Sequence, residues 1–371
     1  MSSPAHLVEA LANKRAIPPG WREAVASVPR ELFLPDLVEV EDQVISRESD
    51  LEEWLEAVYR DVPVITQVND GQEAAEGAYR RPTSSSSMPS VMLEMLDLLD
   101  VDDHHRVLEL GAGTGYNAAW LAHRLGSHRV TSIEVDATLA EQARKNLAAA
   151  GYSPRIECGD GDAGVAGAPF DRLIATYTVP AIPARWIEQV PTGRIVAPWG
   201  GSFFSHSYAV LDTANGQAHG RFHGYPAFMA SRTRRPHRGY LRDFLHHLDQ
   251  GTASHTALSP LEIAHDSDAL FFIALDVPAA WHLLAQAQDG SGEATWWLLA
   301  DDRKSWAAVE YGPHQTRYEV DQYGPRRLWD EVQAAHHRWA ERGRPGRDQA
   351  GLSVVAGQQR LWLDDPGNII A

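Results

Sequence analysis

Only one cysteine, Cys158, stands among the 371 residues. No disulfide can form within the chain, which excludes a disulfide-stapled scaffold and fits a reducing cytoplasm. Long apolar runs are missing too. No stretch approaches the roughly 20 residues that cross a bilayer, and the N-terminus, MSSPAHLVEALANKRAIPPGW, lacks the apolar core of a signal peptide. Positive charge is scarce: 33 Lys and Arg face 50 Asp and Glu, for a net charge of −17. A nucleic-acid binder carries a basic footprint. The expectations are therefore a cytoplasmic protein with no nucleic-acid partner and no membrane. One stretch departs from this balance: SRTRRPHRGYLR, Ser231 to Arg242, could meet an acidic peptide, although a solvated linker explains it slightly better. Internal repeats and low-complexity tracts are absent.

Apolar residues make up 44% of the chain, enough for a sizeable core, and the length suits two domains. The first 60 residues read as helices: PAHLVEALANKR, GWREAVASVP and SDLEEWLEAVYR. Residues 61–82 lose periodicity and read as a mobile loop. A helix follows from Ser90. Then strands and helices alternate. RVLELG, RVTSIEVD, RIECGDG, FDRLIATYTV and GRIVAPWG read as strands, with YNAAWLAHRLG and ATLAEQARKNLAAAG as helices closed by glycine. This alternation predicts right-handed βαβ units and a doubly wound α/β sheet. A hairpin turning at Asn215–Gly216 is expected to end that sheet. Beyond about Arg235 a tryptophan-rich α+β module is expected, with DALFFIALDV, EATWWLLAD, SWAAVEY and QTRYEVDQ as strands and PRRLWDEVQAAHHRWAERG as a helix. A last hairpin, AGLSVVAGQQRLWLDDP, closes the chain. The partition is 1–82 (helices and active-site loop), 83–235 (Rossmann-like core) and 236–371 (substrate-recognition module).

The stretch LELGAGTGY carries the most chemistry. Gly111, Gly113 and Gly115 fall where a strand ends and a helix begins, so the backbone can turn sharply and approach a ligand. The helix N-terminus adds free N–H groups. The spacing G-x-G-x-G, preceded by Glu109, disfavours a pyrophosphate and suits a ligand with a carboxylate and an ammonium group. S-adenosylmethionine has both. Glu134 ends the second strand, where a carboxylate can accept from both ribose hydroxyls. Asp160 and Gly161, after the third strand, suit the adenine amine and ring. The pairs His104–His105, His246–His247 and His336–His337 show no metal-ligand spacing with acidic partners, so no metal is expected, and Cys158 reads as a small buried filler.

These residues resemble the protein-L-isoaspartate O-methyltransferase family. VPRELFLP (Val28 to Pro35), VYRDVPV, RVLELGAGTGYNAAWLA, NLAAAG, GDG, APFDRLIATYTV and GRIVAPWG follow in family order. The resemblance implies a class I methyltransferase core binding S-adenosylmethionine through Glu109, Gly111, Gly113, Thr114, Gly115, Glu134, Asp160 and Gly161, and releasing S-adenosylhomocysteine. It also places SSSMP, Ser85 to Pro89, on the family's active-site turn. Ser87 then holds the acceptor carboxylate, with Ser86 and Thr178 beside the substrate. Ser84 is expected to matter little. Read from the residues alone, Ser86 or Ser87 could equally cap the following helix.

Two departures from the family stand out: an insertion from Val68 to Arg81, and about 135 further residues after the core, which repair enzymes are expected to lack. With the serine run and the closing GQQRLWLDDPGN, they resemble the methyltransferases encoded beside ATP-grasp ligases that make ester-crosslinked ribosomal peptides (graspetides). That resemblance implies methylation of an aspartate in a precursor already crosslinked by the ligase, and collapse of the ester to an aspartimide. The alternatives are an isoaspartyl repair enzyme and, in another class, a binding module on a degenerate Rossmann core.

Overall fold

The protein, described here from a computed structural model, is defined over residues 3–73, 80–236 and 238–371. Two helices, α1 (Pro4–Asn13) and α2 (Arg22–Ser27), open the chain. They are followed by a short hairpin, β1 (Leu37–Val40) and β2 (Gln43–Ser46), and by α3 (Leu51–Val58). The hairpin corrects the all-helical expectation for the first 60 residues. Strands of four residues are too short to show a period, although Val38, Val40 and Ile45 are all buried. Next come β3 (Val64–Val68) and β4 (Pro82–Ser86), which complete an antiparallel sheet of order β2-β1-β3-β4. The expected loop is thus partly strand. Its polar residues pair across the ladder instead of solvating. Ile65 faces Ser85 and Val64 faces Ser86, and Thr83 Oγ1 donates to Gln67 Oε1 at 2.9 Å. Residues 74–79 of the insertion lie outside the described residues.

The central unit runs α4 (Pro89–Leu99), β5 (Val107–Leu110), α5 (Tyr116–Leu125), β6 (Val130–Glu134), α6 (Ala137–Ala149), β7 (Arg155–Cys158), β8 (Arg172–Ala175), α7 (Ala184–Gln189) and β9 (Gly193–Trp199). The antiparallel hairpin β10 (Ser207–Ala214) and β11 (Gln217–His223) follows. β7-β6-β5-β8-β9 are parallel, with β10 antiparallel to β9. This is the doubly wound, Rossmann-like sheet that the strand–helix alternation predicts. The pleat divides its side chains between two cores. Val107 and Val196 join the layer of α4, α5 and the N-terminal helices. Leu108, Leu110, Ile195 and Ala197 join the opposite layer.

The rest of the chain is β12 (Thr252–Thr256), α8 (Pro260–His265), α9 (Ser267–Asp276), β13 (Ala280–Gln286), β14 (Ala294–Ala300), β15 (Trp306–Tyr311), β16 (Tyr318–Tyr323), α10 (Leu328–Glu341), β17 (Ala350–Val355) and β18 (Gln358–Leu363). β12–β16 form a separate five-stranded sheet. Two expectations fail here. DALFFIALDV is a helix: Asp266 caps it by accepting from the Asp268 and Ala269 N–H groups at 3.0 Å, and it is apolar on several sides because it is buried between layers. The doubly wound sheet does not end at Asn215–Gly216 either. β17 pairs with β11, and β18 extends the sheet further. The final hairpin therefore belongs to the sheet of the central unit and departs from a partition that places all of 236–371 in a second module. Phe271 of α9 packs at a tilt against Trp199 and edge-on against Phe222, so one core serves both units.

Candidate active site

Strand order reverses between β5 and β8, and a doubly wound sheet leaves its ligand crevice there, beyond the carboxyl ends of the strands. A cavity of about 1450 Å³ opens at that point. Its wall includes Ser86, Ser87, Glu109, Gly111, Gly113, Thr114, Glu134, Asp160, Gly161 and Thr178. Gly115 is not on the wall; it is the N-cap of α5 at φ +90°, packed on Leu147.

Glu109 is fully buried. Its two oxygens accept from Asn117 Nδ2 at 2.7 Å and Ser132 Oγ at 2.6 Å. Burial pushes its carboxyl up to about 7, with nearby Glu134 adding to the rise and the two hydrogen bonds opposing it. A cation arriving in the cavity would favour the ionised form. Gly113 (φ +52°) holds its Cα toward open space: a Cβ there would meet nothing closer than Ser84 Oγ and the Ser85 carbonyl, both at 3.8 Å. Backbone access of this kind is what a close-lying ligand needs. The Glu134 carboxylate accepts from the Gly113 N–H at 2.9 Å and the Asp136 N–H at 3.1 Å. Burial raises its pKa and those two bonds pull it back. Each oxygen keeps a lone pair for a ribose hydroxyl. Asp160 accepts from the Asp162 N–H through Oδ1; no protein donor occupies its other oxygen among the described residues. A buried acid awaiting a cation, an open glycine backbone and two acids with spare acceptors fit S-adenosylmethionine.

The serine run is the edge strand β4, laid over the glycine loop. It caps nothing: the helix N-cap is Met88, without a side-chain bond. The Ser90 N–H is taken by Asp61 Oδ1 at 2.9 Å. The run is organised by Arg30, which is completely buried. Its guanidinium donates to the carbonyls of Val58, Arg60, Val62, Ser86 and Ser87, and to Ser86 Oγ at 3.3 Å. Burial lowers its pKa to about 10, so it stays charged at neutral pH. Ser86 is buried against this cation, while Ser87, half-buried, leaves its hydroxyl without a protein partner among the described residues. Arg30 was not singled out from the sequence, although it sits inside VPRELFLP. A charged residue within an apolar stretch was the available signal.

Tyr177 was also missed. Its ring reaches between Gly111 and Gly161: a Cβ on Gly161 would lie 2.3 Å from the Tyr177 hydroxyl. Both glycines thus make room for this ring as well as for a ligand. Burial and the acids Asp162, Asp160 and Glu134 raise the phenol pKa, so it stays protonated. Thr178 is buried, and its Oγ1 donates to the Phe228 carbonyl at 3.2 Å. Two other readings change. Cys158 is exposed, because β7 is the sheet edge. Asp102 brings a ligand atom within 4.8 Å of those of His104 and His105, an acidic neighbour that the pair was expected to lack. That group precedes β5, at the end of the strands away from the cavity.

Residues 2–221 match the family model described as protein-L-isoaspartate(D-aspartate) O-methyltransferase. A protein-L-isoaspartate O-methyltransferase of Hyperthermus butylicus is 33% identical over 212 residues, covering 54% of this chain and 76% of its own. One of Methanopyrus kandleri is 32% identical over 212 residues, covering 56% and 80%. A solved structure of a protein-L-isoaspartate O-methyltransferase superposes with a TM-score of 0.55 at 21% identity, over 98% of this chain and 100% of that one. The likeness in fold reaches through the C-terminal module. A solved structure of that name therefore also continues beyond the central unit.

Proposed function

The chain belongs to the protein-L-isoaspartate(D-aspartate) O-methyltransferase family and is an S-adenosylmethionine-dependent carboxyl O-methyltransferase, and from that premise we propose that its acceptor is an aspartate side chain in a ribosomally made peptide already macrocyclised by an ATP-grasp ligase. One observation carries this reading. The cavity does not stop at the cofactor crevice but continues to Trp281 and Leu283 on β13. That length suits a folded ring better than one exposed side chain. A crosslinked ring has already lost much of its conformational entropy, so binding it costs less.

The acceptor needs little acid–base help, because a carboxylate is ionised at neutral pH. S-adenosylmethionine, when bound, supplies a methyl group on a positively charged sulfur. Glu109, the glycine loop, Glu134 and Asp160 would hold it. The Ser87 hydroxyl donates to one acceptor oxygen and leaves the other free to form the new O–CH₃ bond. Arg30 fixes the backbone on which Ser87 sits. Catalysis by these residues is positioning and exclusion of water. In the methylated peptide the following backbone nitrogen attacks the ester carbonyl. The C–N bond forms, the C–OCH₃ bond breaks, and the amide proton leaves with the methoxide as methanol. The product is an aspartimide.

Repair of isoaspartyl residues is the second reading, favoured by the names of the relatives and by the whole-chain likeness in fold. A binding module on a degenerate core is opposed by the acids and glycines gathered on one wall. Two observations separate the first two readings. A ligase gene and a short precursor gene beside this one support tailoring. So does a kcat/KM for the crosslinked precursor far above that for its linear form and for an isoaspartyl peptide. The reverse order of kcat/KM leaves a repair enzyme.

A further inference from the structure

The cavity is electrically divided. The acids on its wall, Glu109, Glu134 and Asp160, come from the carboxyl-terminal ends of β5, β6 and β7. The rest of the wall carries Arg81, Arg232, Arg234, Arg235, Arg238 and Arg303, in a protein whose net charge is −17. Most of this basic end is spent on internal pairs. Arg232 binds Asp70 at 3.2 Å and Asp136 at 2.9 Å. Arg235 binds Asp70 at 3.1 Å, Arg81 binds it at 3.4 Å, and Arg234 pairs with Asp162. These contacts stitch the stretch 231–235 to the N-terminal sheet and the cofactor loops. The basic stretch is therefore a built wall and not a solvated linker.

Arg238 differs. It is half-buried and lines the cavity, and among the described residues it makes no hydrogen bond and no ion pair. Asp301 is near enough to act on it electrostatically. One oxygen of that carboxylate accepts from Ser202 Oγ at 2.6 Å and the other is buried without a hydrogen bond, so Asp301 answers part of the Arg238 charge at a distance but no hydrogen bond joins the two. A second unspent donor lies on the same wall: Trp281 Nε1 is buried without an acceptor. A partly desolvated guanidinium without a hydrogen bond is costly unless an anion completes it, and Trp281 shares its cavity wall. Leu283, 41% exposed, adds an apolar contact next to them.

We infer that Arg238 and Trp281 form a subsite for a second carboxylate of the substrate, so that the enzyme selects acidic peptides. The inference rests on the reading of the acceptor as a peptide carboxylate. The methyl-accepting group lies at Ser87, and the Arg238 subsite holds a neighbouring Asp or Glu side chain at the far end of the same cavity. This fixes the peptide at two points and sets its direction across the cleft.

The test separates binding from methyl transfer. Enzyme loaded with S-adenosylhomocysteine is titrated with fluorescein-labelled Asp-Gly-Asp-Gly-Asp-Gly-Asp and with the same peptide carrying Asn for Asp, and anisotropy is read. The Asp peptide should bind more tightly than the Asn peptide. R238Q should weaken it by about tenfold or more, as for loss of a charge-assisted hydrogen bond, and R238K should recover part of the loss. W281F should cost less than R238Q. S-adenosylhomocysteine affinity, measured on each variant, should be unchanged. Equal affinity of the two peptides for the wild type, or unchanged Asp-peptide affinity in both R238Q and R238K, overturns the subsite. A wild type that binds the Asp peptide through Arg238, yet methylates no crosslinked precursor, keeps the subsite and overturns the proposed acceptor instead.

Discussion

Replacing Glu134 by alanine removes two things at once, and the structure separates their sizes. The carboxylate braces the glycine loop through the Gly113 and Asp136 N–H groups, and it offers its remaining lone pairs to the ribose. Hydrogen bonds to a charged group contribute about 1.5–3 kcal/mol each, and a buried N–H left unpaired costs about 1–3 kcal/mol. Glu134 is only 7% exposed, so water cannot take its place freely. Taking the ribose pair together at about 3 kcal/mol, Glu134→Ala should raise the Kd for S-adenosylmethionine roughly a hundredfold. It should also lower Tm through the unpaired N–H groups. Glu134→Gln keeps the side-chain length and an amide oxygen but loses the charge, so its affinity should fall in between. Calorimetric titration with S-adenosylhomocysteine, beside thermal melts, reads the two effects independently. A lower Tm with unchanged cofactor affinity would refute the reasoning and make Glu134 a loop brace alone.

Three further outcomes follow from the same geometry. Ser87→Ala should cut kcat by far more than it changes cofactor affinity, whereas Ser84→Ala, which removes the partner of Thr66 at 3.3 Å, should cost about 1 kcal/mol of stability; equal small effects on turnover at both would return the run to a structural role. For Glu109, with its carboxyl raised to about 7, the free protein holds an extra proton below that pH. Its stability without ligand should therefore fall as pH rises from the ordinary glutamate value toward 7. Cofactor affinity should rise over the same window, because the ammonium favours the carboxylate, and level off above it; Glu109→Gln should show neither trend in titrations at several pH values. Deleting residues 236–371 should yield an insoluble chain, because it strips β17 from β11 and Phe271 from Trp199 and Phe222; a soluble, cofactor-binding truncation would show that the shared core is dispensable.

The doubly wound unit was readable because parallel strands buried on both faces appear as short apolar runs with glycine ends. The acids at those ends fall on one wall because topology leaves them no other place. What was hidden depended on partners distant in sequence. The serines look like a joint until β3 pairs with β4. Arg30 looks like a surface residue until it turns inward and meets five carbonyls. The run LFFIAL has no period that separates a buried helix from a strand, though the cap His265-Asp266-Ser267-Asp268 before it could have decided the matter. The return of β17 and β18 to the catalytic sheet has no local signal. The two strands of one hairpin carry no mark of which sheet they will extend.

The most direct test of the account is a time course by mass spectrometry on the crosslinked precursor with enzyme and S-adenosylmethionine. A species heavier by one methylene unit should appear first. A species lighter than the starting peptide by one water should replace it, while the linear precursor stays unchanged. No mass change on the crosslinked precursor, together with rapid and stable methylation of a simple isoaspartyl peptide, would contradict the account.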